Sequence, residues 1–165
     1  MPVMLLGLGN ILLKDEGVGV HVVTTMREKY SFSPEIEAID GGTLGLDLLH
    51  LIEDKDKLLI IDAINFGKEP GFIGVLEDEE IPAALHAKLS VHHIGLSDVL
   101  FAAKLTDKTP QMVCLIGIQP ESLEVGLDMT ERISGKIEEI IGLAIKKLKE
   151  WNIACVLQSP QKLSA

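Results

Sequence analysis

Apolar residues follow two rhythms along this chain. Short, largely apolar runs at Val3–Leu6, Ile36–Ile39, Lys57–Asp62, Phe72–Leu76 and Met112–Ile118 are bounded by glycine, proline or charged residues and predict strands. Between them, Val18–Tyr30, Leu44–Ile52, Ser97–Leu105 and Met129–Trp151 carry helical patterns. The last of these is the clearest. Asp128 with Glu131 reads as a capping pair, and Ile133, Ile137, Ile140, Ala144, Leu148 and Trp151 form one apolar stripe at three- and four-residue spacing. Strand–helix alternation predicts an α/β fold, a mostly parallel sheet with helices on both faces. One link breaks the alternation. About nine residues, including Gly67, Pro70 and Gly71, separate Asp62 from Phe72, and a parallel crossover needs roughly a dozen or more. The Phe72–Leu76 strand is therefore expected to be hairpin-linked and antiparallel, at or near a sheet edge.

The chain has 165 residues, enough for one domain with a substantial core. We place that domain at residues 1–152 and expect a flexible tail over 153–165. The formal net charge of −10 argues against a nucleic-acid partner, which needs clustered Lys and Arg; solubility is the plain reading of the acidity, and a site for a cation or a basic peptide would also fit it. No apolar stretch approaches the ~20 residues that span a bilayer, so no membrane partner is expected. No basic segment precedes the first apolar run, which breaks at Gly7, and no signal peptide is read there. Cys114 and Cys155 lie far apart without a CxxC pattern, which fits a reducing, cytoplasmic setting. There are no heptads, and a monomer is expected.

Several chemistries are disfavoured. Gly7-x-Gly9 follows a strand, but Leu12 stands where a dinucleotide fingerprint needs its third glycine. Asp15 and Glu16 at the coming helix start would also repel a phosphate. There is no P-loop, no G-x-S-x-G elbow and no H-E-x-x-H helix. Cys114 lies in an apolar strand pattern, where a buried, inert thiol is the usual case.

What remains are polar residues at strand ends: Asp15 and Glu16 after the first strand, Asp40 after the second, Asp62 after the third, and the pair His92-His93 before a helix. In a parallel sheet these project toward one rim. Each has a plain reading. Asp15 would cap a helix, Glu16 would favour its dipole, Asp40 before two glycines would shape a turn, and Asp62 would end a strand. His21, His50 and His86 lie in or near helical segments and read as structural. Taken together, Glu16, Asp62 and one of the two adjacent histidines supply two oxygens and one imidazole nitrogen. That set suits a divalent transition metal with open positions, but does not select nickel over zinc or manganese.

The runs Gly7-x-Gly9-Asn10 through Asp15-Glu16, Asp40-Gly41-Gly42-Thr43, Asp62-Ala63, His92-x-x-Gly95-Leu96-x-Asp98 and Ile116-Gly117-Ile118-Gln119-Pro120-Glu121-Ser122-Leu123-Glu124 occur in order over nearly the whole chain. This ordered set resembles the nickel-iron hydrogenase maturation endopeptidases. The resemblance implies a three-layer α/β/α sandwich around a twisted five-stranded sheet. It implies an enzyme that removes a C-terminal extension from the precursor of a [NiFe] hydrogenase large subunit after nickel has entered. The family's metal positions map onto Glu16, Asp62 and a histidine. Spacing to the following Gly-Leu-x-Asp selects His92, with His93 as the alternative. Asp40, Gly41, Gly42 and Thr43 map onto a segment tied to substrate recognition. The implied metal is nickel, either held by the enzyme or supplied by the substrate. With no side-chain nucleophile in evidence, an attacking water is expected, with Glu16 or Asp62 available as general base. The competing reading is a non-catalytic, nickel-dependent chaperone that binds the same precursor without cutting it.

Overall fold

The structure is a computed structural model that describes residues 2–42, 47–81 and 96–158, with the side chains of 96–98 left aside. The central sheet contains β1 (Val3–Leu8), β3 (Glu37–Gly42), β4 (Lys57–Ala63), β5 (Ile73–Glu77) and β6 (Met112–Ile118). Its order is β3-β1-β4-β6-β5. All pairs are parallel except β5 on β6. The helices are α1 (Val18–Lys29), α2 (Leu48–Ile52), α3 (Leu96–Leu105), α4 (Glu131–Ser134) and α5 (Ile137–Glu150). A separate antiparallel ribbon pairs β2 (Tyr30–Ser33) with β7 (Ala154–Leu157).

The strand sequences explain the layers. Leu58, Leu59, Ile60 and Ile61 are all fully buried, because a central parallel strand is covered on both faces. Alternate residues divide between two cores. Leu5, Leu59, Ile61, Cys114 and Ile116 meet Val22, Met26, Ile140 and Leu148 of α1 and α5. Met4, Leu6, Leu58, Ile60 and Leu115 meet Leu48, Ile52, Val99 and Ala103 of α2 and α3. This is the expected three-layer α/β sandwich with one antiparallel strand.

The structure corrects four expectations. β5 lies at the sheet edge and is antiparallel, but it is not a hairpin with β4, because β6 sits between them. The short link instead crosses the carboxyl end of β6. Ile64 donates its N–H to Ile118 O (2.9 Å), and Gly71 donates to Gln119 O (2.9 Å). The last helix is broken at Gly135 and Lys136 into α4 and α5. Its first turn is not capped by Asp128; Thr130 occupies the N-cap, and its hydroxyl is bound elsewhere. Finally, residues 154–157 of the expected tail form β7, and Ile153 is buried, so the ordered chain passes Asn152. Residues 159–165 lie outside the described residues.

Candidate active site

Two glycines bring the first helix onto the sheet. A Cβ on Gly19 would lie 2.0 Å from the carbonyl oxygen of Ile61, and one on Gly9 would lie 1.8 Å from that of Glu16. Gly9 also has φ +124°, a conformation glycine adopts without strain. The turn Lys14–Gly17 can therefore lie directly over the carboxyl ends of β1 and β4. It places Glu16, 4% exposed, near Asp62, also 4% exposed, on β4.

Burial is the main cause that raises the Asp62 carboxyl, to about 8. The N–H of Ala63 donates to its Oδ1 (2.8 Å) and opposes the rise, while the charge of Glu16 adds to it. The two carboxylates are thus close enough to feel one another within an apolar setting. A shared cation or a shared proton would relieve their repulsion. His92 and His93 lie outside the described residues, so the third expected ligand is not placed.

The Asp40–Thr43 segment is partly visible. Leu8 pairs with Gly42 at an irregular step in the β1–β3 ladder, and Gly9 N donates to Gly42 O (3.0 Å). This brings Asp40, Gly41 and Gly42 to the same rim as Glu16. The Asp40 side chain is exposed and accepts from Gly42 N (2.8 Å), so it shapes the turn, as its plain reading anticipated. Gly41 is buried against Leu6 and Leu8, where a Cβ would lie 2.8 Å from each side chain. Gly42 has φ +47°. Thr43 lies outside the described residues.

Two residues gained a role that their sequence context did not reveal. Asp15 is fully buried and caps no helix of its own. Its carboxylate accepts from Glu121 N (3.0 Å), Ser122 N (3.0 Å) and Thr130 N (2.8 Å), and from the Thr130 hydroxyl (2.9 Å). Gln119, at the end of β6, accepts from Phe66 N through Oε1 (2.6 Å) and donates through Nε2 to Asn65 Oδ1 (3.2 Å). It fixes the loop after Asp62. A polar residue directly after an apolar strand was the available signal for Gln119; Asp15, seven positions past β1, offered none.

The rim beside Glu16 is apolar. Ile11, Leu12, Leu123, Val125 and Leu127 are all exposed. They stand on two loops joined by hydrogen bonds from Gly126 N to Leu12 O (2.9 Å) and from Lys14 N to Gly126 O (3.0 Å). On β6, one strand in from the sheet edge, burial pushes the Cys114 thiol up to about 12, which disfavours the reactive thiolate.

A family model described as hydrogenase maturation protease matches residues 20–147. The chain belongs to the hydrogenase maturation protease family. This maturation protease is 38% identical over 157 residues to the hydrogenase 2 maturation protease of Escherichia coli, covering 94% of this chain and 96% of that one. It is 40% identical over 151 residues to the hydrogenase expression/formation protein HoxM of Cupriavidus necator, covering 90% and 75%. Among solved structures, the hydrogenase maturating endopeptidase HybD of E. coli superposes with a TM-score of 0.90 at 37% identity, over 96% of this chain and 98% of that one. The [NiFe] hydrogenase maturation protease HybD of Thermococcus kodakarensis gives 0.72 at 26% identity, over 90% and 99%. The protease is therefore an enzyme, and the chaperone reading is set aside. Among the described residues, no helix is long and apolar enough to cross a membrane.

Proposed function

We propose that this protease removes a C-terminal extension from the precursor of a [NiFe] hydrogenase large subunit, and that it does so once nickel has entered the precursor. The observation that carries this reading is the buried pair Glu16 and Asp62, set at the carboxyl rim of a protease's sheet. A buried carboxylate pair, in which the charge of Glu16 adds to the raised proton affinity of Asp62, forms a hard, oxygen-rich donor set that a divalent cation would neutralise. They fit such an ion, with His92 as the nitrogen donor in our assignment. The ion, whether resident or carried in by the precursor, would polarise the scissile carbonyl.

The chain's own groups do the rest. A carboxylate not engaged by the ion can accept a proton from the attacking water, and burial gives Asp62 a proton affinity suited to that task near neutral pH. The glycines at 41 and 42 shape the backbone beside the pair. The exposed aliphatics on the two joined loops next to Glu16 suit a protein substrate better than a small molecule. The test is a gel assay with purified precursor, loaded or unloaded with nickel. Shortening of the loaded precursor alone supports the proposal. Association without shortening, or equal shortening of both forms, contradicts it.

A further inference from the structure

Asp15 stands beside Glu16 in the turn Lys14–Gly17, yet its side chain points away from helix capping and into a long-range network. Four donors converge on it, and they come from Glu121, Ser122 and Thr130, more than a hundred positions away along the chain. Its own N–H donates to Ser122 O (3.2 Å), and the preceding residue bonds Gly126 O. Glu121 is tied in turn to Arg132 on α4 (3.3 Å). On its other side the turn rests on Gly9, which touches the Glu16 carbonyl. Glu16 is held in a vice: a bare glycine below and the Asp15 network above.

We propose that Asp15 is a positioning residue for the protease, locking the turn that carries Glu16 to the 121–130 segment so that the Glu16 carboxylate is held beside Asp62. The proposal rests on the use of Glu16 on substrate, as set out above. The chemistry at position 15 is demanding. Both carboxylate oxygens are occupied by N–H donors, Oδ1 by Thr130 and Oδ2 by Glu121 and Ser122. An asparagine must turn an amide N–H toward one of these sets, whichever way it is flipped. A glutamate is one carbon too long and would displace the turn. Because Asp15 and Glu16 are neighbours in one short turn, a shift of the first carries the second. Displacements near 1 Å cost on the order of a hundredfold in rate.

The experiment compares Asp15→Asn, Thr130→Ser and Thr130→Val with the wild type and with Val113→Ala, a core truncation at the far end of β6. Each is assayed on nickel-loaded precursor, well below its own melting temperature, for maximal rate and half-saturation separately. Asp15→Asn is expected to lose at least tenfold in maximal rate, with half-saturation changed by less than about threefold. Val113→Ala is expected to keep the wild-type rate despite its lower melting temperature, which separates positioning from mere stability. Thr130→Ser retains the hydroxyl and is expected to retain the rate. Should Asp15→Asn fail to fold, Thr130→Val, which removes only the hydroxyl, carries the test with an expected loss of threefold or more. Asp15→Asn, or in its place Thr130→Val, cleaving as fast as Val113→Ala would overturn the proposal. A wild-type enzyme that leaves the precursor uncut refutes the processing reading itself, a result distinguishable from the others.

Discussion

Replacing Asp62 by Asn should make the metal-free protein more stable while removing its activity. Burial, strengthened by Glu16 and opposed by the Ala63 N–H, lifts the folded-state carboxyl from 3.8 to about 8. In the unfolded chain it ionises near its ordinary value. Between pH ~4 and ~8 the unfolded chain has given up a proton that the folded protein keeps, so stability falls as pH rises through that window and levels off above it. At pH 7 the cost is about three pKa units, or about 4 kcal/mol. Asparagine does not titrate, and its carbonyl can still accept from Ala63. At pH 7 Asp62→Asn should therefore gain about 4 kcal/mol, roughly 8–16 °C in melting temperature for a chain of this size. At pH 4 it should gain almost nothing. Urea unfolding of both proteins from pH 4 to pH 8, with a chelator present, measures the difference. Parallel stability curves for wild type and variant would refute the burial argument.

Other outcomes follow from the same geometry. Glu16→Gln and His92→Ala should each abolish precursor shortening in the gel assay, whereas His93→Ala should cleave normally; the reverse pattern would exchange the two histidines. Gly9→Ala puts a methyl group 1.8 Å from the Glu16 carbonyl oxygen and should slow processing by more than about tenfold, read by a single-turnover time course. Ending the chain at Asn152 removes β7 and the buried Ile153, and should cost about 2 kcal/mol or more in urea unfolding. Val125→Asp, on the exposed loop beside Glu16, should weaken precursor half-saturation several-fold while leaving the maximal rate near wild type.

The sheet was legible because its central strands are buried on both faces and so appear as unbroken apolar runs. Met112–Ile118 is the same segment in sequence and structure. The rim positions of Asp62 and Glu16 were legible because Asp62 closes such a run and Glu16 follows β1 through one short loop. The β2–β7 ribbon was not. Each strand has four residues, one resembling a helix end and the other a tail, and only their pairing makes them strands. Asp15 was misread as a cap because its partners lie 106 to 115 positions away, beyond the reach of any local pattern. The break in the last helix was hidden because the apolar stripe passes from Ile133 to Ile137 at unbroken helical spacing across Gly135 and Lys136.

The most direct measurement is the intact mass of a nickel-loaded large-subunit precursor after incubation with this enzyme. A single loss of a C-terminal fragment with the wild type, and none with Glu16→Gln, is the predicted result. The same fragment released by Glu16→Gln at the wild-type rate would contradict the role given to the paired carboxylates.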